Sequence, residues 1–225
     1  AHIKQTIDYA LSKNFTVNLY LEDWSSGMRD SRDYLFMMMD ELVKLPIKRF
    51  LLPDTLGILN PLQCVEYMRL MVRRYPITHF DFHAHNDYDL AVSNSLAAVL
   101  SGAKGLHVTV NGLGERCGNA PLASVQVILK DMFEAKTNIK EDRLNDISRL
   151  VEGYSGIAVA PNTPVVGDNV FTQVAGVHAD GDNKDKLYCN DLVPERFGRH
   201  REYALGKNSG KANIVQNLNE LGLEL

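Results

Sequence analysis

The sequence has few cysteines, no excess of basic residues and no long apolar run. Its three cysteines, Cys64, Cys117 and Cys189, are odd in number and far apart, which argues against a disulfide framework and favours a reducing compartment, the cytoplasm. The 24 basic and 28 acidic residues give a net charge of -4 without a Lys/Arg block, so we expect no nucleic-acid partner. No uncharged apolar stretch approaches the roughly 20 residues that span a bilayer, so we expect no membrane partner.

Apolar runs, loops and amphipathic segments follow one another in a repeating pattern through the first half of the chain. Strands are predicted over 16–22, 49–54, 79–85 and 105–111, at the spacing of roughly 30 residues that successive βα units show. Between them, Asn60 and Pro61 have the pattern of an N-cap and first helical turn, and a further helix is predicted over 90–101. The pattern indicates an α/β fold with a parallel sheet.

Apolar and polar residues alternate within these strands, so that each strand has one polar face. In the third strand, Phe80 and Phe82 point away from Asp81, His83 and His85. A polar face gathered toward the carboxyl ends of the strands is what a catalytic (β/α)8 barrel requires. A doubly wound sheet would instead bury apolar residues on both faces.

The repeating βα pattern ends at about residue 130. A helix is predicted over 138–152, a loop over 158–172 and another helix over 210–223. We therefore predict four parallel strands with helices, the carboxyl-terminal half of a (β/α)8 TIM barrel, over 1–135. A small, mostly helical linker subdomain is predicted over 136–225.

His83 and His85 form the strongest candidate metal site. An i, i+2 pair on a strand projects two imidazoles from one face within reach of a single metal ion. Such pairs also occur as ordinary polar residues of a strand. The polar neighbours Asp81, Asn86 and Asp87 have no packing role and favour metal binding.

A glycine-rich segment, Asn111-Gly-Leu-Gly-Glu-Arg-Cys-Gly-Asn119, follows the fourth strand. It lacks the Lys-Ser/Thr pair of a P-loop and the glycine order of a Rossmann motif, so neither mechanism of nucleotide binding is supported. A tight turn explains the glycines. It does not explain Glu115, Arg116 and Asn119, which we predict to be functional.

Other titratable or polar residues have two interpretations each. Glu22, at the end of the first strand, could relay a proton or be a solvated strand-end residue. Thr55 could offer its hydroxyl to a carboxylate or belong to an ordinary turn. His178, Asp180 and Tyr188 lie in a loop-like segment, where they are either functional or surface polar residues.

Five motifs together resemble one family, the acetyl-CoA-dependent 2-oxo acid synthases that make isopropylmalate, citramalate or homocitrate. They occupy residues 20–24, 52–57, 83–87, 111–119 and 171–181. Tyr20 and the segment 194–198, Pro-Glu-Arg-Phe-Gly, look closest to the citramalate and isopropylmalate synthases. The resemblance implies condensation of acetyl-CoA with 2-oxoisovalerate or pyruvate, in leucine or isoleucine biosynthesis.

The resemblance also implies the roles of individual residues. His83 and His85 would bind a divalent metal with Asn119 in or near its coordination shell; zinc is the first expectation, with manganese or magnesium as alternatives. Substrate contacts would come from Tyr20, Thr55 and Asn111, and catalytic groups from Glu22, Glu115, His178, Asp180 and Tyr188. In a homodimer, the last three would reach the active site of the partner subunit.

One departure from the family pattern concerns the first barrel strand. Family members carry an Arg-Asp motif there that supplies a metal carboxylate and a catalytic arginine, and nothing here matches it. Because four strands cannot close a barrel, we expect the amino-terminal half to be a separate, cleaved or missing chain. Two rival functions remain open: a hydroxyacyl-CoA lyase with the same barrel, and a non-catalytic half-barrel that binds a partner.

Overall fold

The structure is a computed structural model that describes residues 2–175, 177, 181, 189–207 and 209–223. It divides into two compact units, Ala1–Val125 and Gln126–Leu225. The boundary between them falls within the helix Leu122–Phe133. Each unit has its own sheet.

The first unit is a run of βα units around one parallel sheet. Its elements are α1 (His2–Ser12), β1 (Asn18–Tyr20), α2 (Trp24–Asp30), α3 (Arg32–Leu42), β2 (Arg49–Asp54), α4 (Pro61–Arg74), β3 (Phe80–Ala84), α5 (Ala91–Leu100) and β4 (Gly105–His107). The strands pair in the order β1-β2-β3-β4, all parallel. The predicted α/β fold with four parallel strands is confirmed.

Three of the four strands are shorter than predicted, while β2 has the predicted bounds. The strand β4 was expected to reach residue 111, but the chain turns into a 3-10 helix at Val110–Gly112. Asn111 there has a φ of 58°, which no extended strand accommodates. Beyond the end of β1, the Leu21 amide still donates to the Leu51 carbonyl of β2, at 3.0 Å.

Two helix predictions for this unit, the start of α4 and the bounds of α5, can be compared with the structure. At the start of α4, the Asn60 side chain accepts from the Gln63 amide and the Gln63 side chain accepts from the Asn60 amide, which is a capping box. The predicted helix over 90–101 is α5. In the described part of the chain, no helix is both long and apolar enough to cross a membrane.

One face of the sheet forms the core with the helices around it. Phe82 of β3 and Trp24 of α2 are each 1% exposed, and their rings meet edge to face with centroids 6.3 Å apart. Trp24 makes a similar contact with Tyr67 of α4. Burial of such aromatic side chains stabilises the fold by roughly 1.5–3 kcal/mol each. The opposite face carries the polar residues Asp81, His83 and His107, together with Leu51 and Pro53 of β2.

The second unit combines helices with a small sheet. It contains most of α6 (Leu122–Phe133), α7 (Leu144–Ser155), β5 (Thr172–Gln173), β6 (Glu202–Tyr203), α8 (Lys211–Glu220) and 3-10 helices at Glu141–Arg143 and Pro194–Phe197. The helices predicted over 138–152 and 210–223 correspond to α7 and α8. The parallel pair β5–β6 was not predicted, because strands of two residues are too short to show an alternating pattern.

A cluster of ion pairs holds the second unit together around Arg196. The guanidinium donates to both oxygens of Asp131, at 2.9 Å each, and to Glu141 at 3.0 and 3.2 Å. Lys130 adds a bond of 2.7 Å to Glu141. Burial of Glu141 opposes its ionisation, yet Arg196 and Lys130 lower its pKa below the ordinary value. The cluster joins α6 to both 3-10 helices of the unit.

Candidate active site

The carboxyl ends of β1 and β2 are joined by a hydrogen bond between Thr55 and Glu22. The Thr55 hydroxyl donates to Oε1 of Glu22 at 2.9 Å and accepts from the Asp23 amide at 3.0 Å. Asp23 has a φ of 55°, which turns the chain at the end of β1 so that its amide faces Thr55. Both predicted residues, Glu22 and Thr55, therefore lie at one end of the sheet and in contact.

Asp54, beside Thr55, has a structural role. Its buried carboxylate accepts from the Ile58 amide at 3.0 Å and the Leu59 amide at 3.1 Å. Burial raises the pKa of Asp54, against the effect of these amides. Asp54 thus stabilises the turn that follows β2, whereas the Thr55 hydroxyl donates to Glu22.

His83 and His85 lie side by side at the end of β3, with ring centroids 5.0 Å apart and planes at 90°. An isolated bridge joins His85 to Asn119 of the glycine-rich segment. Asn119 is 7% exposed, and its Nδ2 donates to the Leu113 carbonyl at 3.1 Å. This bond fixes the orientation of the amide and leaves Oδ1 as the group that it presents.

Three buried side-chain atoms near the end of β3 lack a hydrogen-bond partner within the described residues: Nδ1 of His83, Nδ1 of His85 and Oδ1 of Asn119. Buried polar atoms without partners are costly, so these three atoms are candidates for binding a ligand. The pKa of His83 is lowered, mainly because the ring is buried and secondly because the imidazoles of His85 and His107 are close. This favours the neutral ring, which is the form that binds metals.

The donor set fits a divalent cation only in part. The described residues contain no group of three His, Cys, Asp or Glu side chains arranged to hold a metal ion. Two imidazole nitrogens and an amide oxygen remain, which is one ligand fewer than a closed tetrahedral site needs. A cation here would therefore require at least one further ligand from substrate, water or another segment.

The glycine-rich segment brings Asn119 close to β3 through tight backbone contacts. Gly118 has a φ of 83°, and a Cβ on it would overlap the carbonyl oxygen of Gly112. A Cβ on Gly114 would overlap the Asn119 amide. The turn interpretation therefore accounts for these glycines, and the turn they form positions Asn119.

Arg116 links the loops that follow three strands. It donates to both oxygens of Asp87, at 2.7 and 2.9 Å, and to the Thr55 carbonyl at 2.8 Å. The guanidinium lowers the pKa of Asp87. Oε2 of Glu115 lies 3.6 Å from Nη1 of Arg116, but the Glu115 side chain is 83% exposed. It therefore lies apart from the buried, unpartnered atoms of the two histidines and Asn119.

Tyr20, at the end of β1, contacts His107 of β4. The Tyr20 hydroxyl lies 2.7 Å from Nδ1 of His107, and the other ring nitrogen lies 3.5 Å from the buried carboxylate of Asp81. His107 was not among the predicted site residues. The alternation of β4 and its register, in which His107 pairs with His83, could have revealed it.

The remaining predicted residues stay predictions. Asn111 lies in the 3-10 helix after β4, and its φ of 58° belongs to the turn rather than to a strand. His178, Asp180 and Tyr188 lie outside the described residues. The structure thus brings together Glu22 with Thr55, His83 with His85, and His85 with Asn119.

A parallel sheet with helices and with polar side chains at its carboxyl ends is the architecture of β/α-barrel enzymes. The family described as HMGL-like matches residues 1–151, and the family described as homocitrate synthase post-HMGL domain-like matches residues 165–225. The chain belongs to the HMGL-like family.

Curated relatives agree with this family. The chain is 36% identical to a putative (R)-citramalate synthase and 37% identical to a probable 2-isopropylmalate synthase, both from Methanopyrus kandleri, over 99% and 97% of its length. It is 40% identical over 99% of its length to a homocitrate synthase of Sulfurisphaera tokodaii. The predicted resemblance is confirmed, while the finer likeness to citramalate and isopropylmalate synthases stays a prediction.

The chain spans about half the length of these relatives, 43% of the first two and 48% of the third. Among solved structures, the HMG-CoA lyase of Bacillus subtilis superposes with a TM-score of 0.63 at 24% identity, over 70% of this chain and 55% of that one. The lyase of Pseudomonas aeruginosa gives 0.63 at 19% identity, over 72% and 56%. At this identity the likeness concerns the fold alone, and it confirms the predicted partial barrel.

Proposed function

We propose that this chain forms the carboxyl-terminal half of the barrel of an acyltransferase that condenses acetyl-CoA with a 2-oxo acid. The three buried, unpartnered atoms of His83, His85 and Asn119, at the end of the sheet where Glu22 meets Thr55, carry the proposal. The relatives named as citramalate, 2-isopropylmalate and homocitrate synthases support the same class of reaction. The half-barrel would cover 1–135 and the linker subdomain 136–225.

His83, His85 and Asn119 would hold a divalent cation. Two imidazoles suit zinc, whereas the amide oxygen also suits manganese or magnesium. Such a cation, when bound, polarises the ketone of a 2-oxo acid as a Lewis acid. A further ligand would come from the Arg-Asp motif that the family resemblance places on another part of the barrel.

Thr55 would bind the carboxylate of the 2-oxo acid. Its oxygen is already fixed by the Asp23 amide, so only the hydroxyl proton has to reorient. That proton is donated to Glu22 in the structure, and a hydroxyl can donate to only one acceptor at a time. Binding of the substrate carboxylate would therefore release Glu22 to hold the proton at the oxygen that becomes the tertiary alcohol.

The other predicted residues complete this proposal. Tyr20 would line the pocket for the side chain of the 2-oxo acid, with Asn111 as a further substrate contact. Glu115, His178, Asp180 and Tyr188 would serve the acetyl-CoA end, and the last three would do so across a homodimer. The substrate would be 2-oxoisovalerate or pyruvate, for leucine or isoleucine biosynthesis.

A thiol-release assay tests the proposed reaction. The complete enzyme, with both barrel halves, is supplied with acetyl-CoA and with pyruvate, 2-oxoisovalerate or 2-oxoglutarate. We expect release of free CoA only with a 2-oxo acid and a divalent cation, and loss of release after chelation. Cleavage of a hydroxyacyl-CoA without any condensation would contradict the proposal and support the lyase.

Cobalt binding tests the ligand set independently of turnover. Cobalt(II) absorbs visible light when imidazole ligands bind it, and we expect His83→Ala with His85→Ala to abolish that absorption. His200→Ala is the matched control, because His200 lies in the second unit with a side chain that is 84% exposed. Unchanged cobalt absorption in the double variant would show that the two imidazoles are not the ligands.

A further inference from the structure

A chain of three polar side chains joins the two outermost strands of the sheet. Tyr20 of β1 and His107 of β4 are separated by β2 and β3, which corresponds to about 14 Å between their backbones at ordinary strand spacing. The Tyr20 hydroxyl nevertheless lies 2.7 Å from Nδ1 of His107, and the two rings meet edge to face with centroids 5.7 Å apart. The contact crosses the polar face, above the inner strands.

The Asp81 carboxylate lies beside His107 and is itself held by two other side chains. Asp81 is 2% exposed; His79 contacts its Oδ1 at 2.8 Å, and Arg49 donates to its Oδ2 at 3.4 Å. A Cβ on Gly105 would overlap this carboxylate, so glycine is required there for Asp81 to occupy its position. Oδ2 of Asp81 lies 3.5 Å from Nε2 of His107, which is longer than an ordinary hydrogen bond, so its negative charge favours a proton on that nitrogen through electrostatic attraction.

The position of that proton determines what Tyr20 presents to the pocket. A neutral imidazole protonated at Nε2 has only an acceptor at Nδ1, so the Tyr20 hydroxyl must donate to His107. Its proton is then directed away from any bound ligand. The ring of Tyr20, which is half exposed, is held by its hydroxyl at one fixed position.

We propose that His107, oriented by Asp81, is a positioning residue that fixes Tyr20 as the wall of the 2-oxo acid pocket. This inference rests on the proposed function, in which Tyr20 faces the side chain of the 2-oxo acid. With its hydroxyl proton committed to His107, Tyr20 has no proton to donate to a second carboxylate on the substrate. Asp81 and Glu22 nearby add negative charge. The wall therefore favours 2-oxo acids with uncharged aliphatic side chains over 2-oxo dicarboxylic acids.

Kinetics of the complete enzyme test the positioning role. We expect His107→Leu to raise the KM for the preferred 2-oxo acid about tenfold, as loss of one well-made hydrogen bond does, with the KM for acetyl-CoA unchanged. His107→Asn should recover much of the loss, because its amide oxygen can occupy the place of Nδ1 and accept from Tyr20. Tyr20→Phe should add little to His107→Leu, since both remove the same bond. His200→Asn is the control for removing a histidine elsewhere.

Imidazole nitrogen NMR tests the same contact without turnover. We expect the His107 resonances to show a proton on Nε2, and Tyr20→Phe to shift the Nδ1 resonance. A protonated Nδ1, or an Nδ1 resonance that Tyr20→Phe leaves unchanged, would overturn the inference whatever the enzyme does.

The two proposals fail in different ways. Absence of thiol release from the wild-type enzyme with every 2-oxo acid would overturn the proposed function. Active wild-type enzyme together with a folded His107→Leu variant of unchanged KM and unchanged selectivity between pyruvate and 2-oxoglutarate would overturn the role of His107 alone. The melting temperature of each variant shows whether it is folded.

Discussion

The polar side chains of the sheet and its loops differ in how many of their atoms are fixed by hydrogen bonds. Asp54 and Asp81 are buried and bonded, and they shape the backbone and their neighbours. The Thr55 hydroxyl has a fixed oxygen and a transferable proton. His83 and His85 each have a buried Nδ1 without a hydrogen-bond partner among the described residues. We therefore assign the candidate chemistry to Thr55, His83 and His85, and a structural role to Asp54 and Asp81.

Removal of the Thr55 hydroxyl tests its role in binding. We expect Thr55→Val to raise the KM for the 2-oxo acid about 10- to 100-fold, because a hydrogen bond to a charged group contributes roughly 1.5–3 kcal/mol. Thr55→Ser keeps the hydroxyl and should stay near the wild-type value. Steady-state kinetics of the complete enzyme measure both, and equal KM values for the two variants would contradict the assignment.

The cysteines should differ sharply in reactivity. Burial raises the pKa of the Cys64 thiol to about 12, so at pH 8 about one molecule in ten thousand carries the reactive thiolate. Cys117 is exposed. We expect a disulfide reagent to label Cys117 within minutes and Cys64 only after unfolding, as followed by mass spectrometry of peptides. Labelling of Cys64 in the native protein at the rate of Cys117 would contradict its burial.

Helices and turns place these side chains, and their ends depend on a few local interactions. The capping box at α4 fixes where that helix begins, just after the turn that carries Thr55. The glycine-rich turn places Asn119 against His85. Arg116 connects that turn to Asp87 and to the Thr55 carbonyl. The strand ends are thus connected through their loops.

Loss of the α4 cap should cost measurable stability. We expect Asn60→Ala to lower the free energy of unfolding by about 1 kcal/mol, the usual cost of removing a side-chain cap. Asn60→Asp retains an acceptor oxygen for the Gln63 amide and should remain within a few tenths of a kcal/mol of the wild type. Urea denaturation compares the three proteins. Equal midpoints for Asn60→Ala and Asn60→Asp would show that the box contributes nothing.

Over the whole molecule, the sheet of the first unit is open at both edges. In the described part of the chain, β1 pairs only with β2, and β4 pairs only with β3. Closing a barrel requires a full set of strands with matching tilt and shear. The chain spans about half of the length of its relatives, and we propose that strands from the part of those relatives that it does not match would cover such edges.

Supplying the other half should change the behaviour of this chain in solution. We expect the 225-residue chain alone to self-associate through its open edges. Co-expression with the amino-terminal half of the Methanopyrus kandleri 2-isopropylmalate synthase should give a complex of uniform mass. Light scattering after size-exclusion chromatography distinguishes the two. A uniform monomer of the chain alone, with cooperative unfolding, would contradict this expectation.

The sequence was sufficient for features that depend on neighbouring residues. The alternation of β3 identified His83 and His85 as a pair on one face, and Asn60 with Pro61 marked the start of α4. It was insufficient for the end of β4, which stops at His107 before the segment that pairs with residues 120–121, and for the two-residue strands β5 and β6. These depend on partners that are distant in the chain.

Periodicity and motifs, which are local, established the parallel βα units, the polar strand ends and the family. The tertiary structure determined which distant residues meet: Asn119 with His85, Arg116 with Thr55, and Tyr20 with His107. Those pairs are 34, 61 and 87 positions apart, so no local pattern specifies them. Strand register and the closure of tight turns bring such residues together, because each is fixed only when the whole sheet has formed.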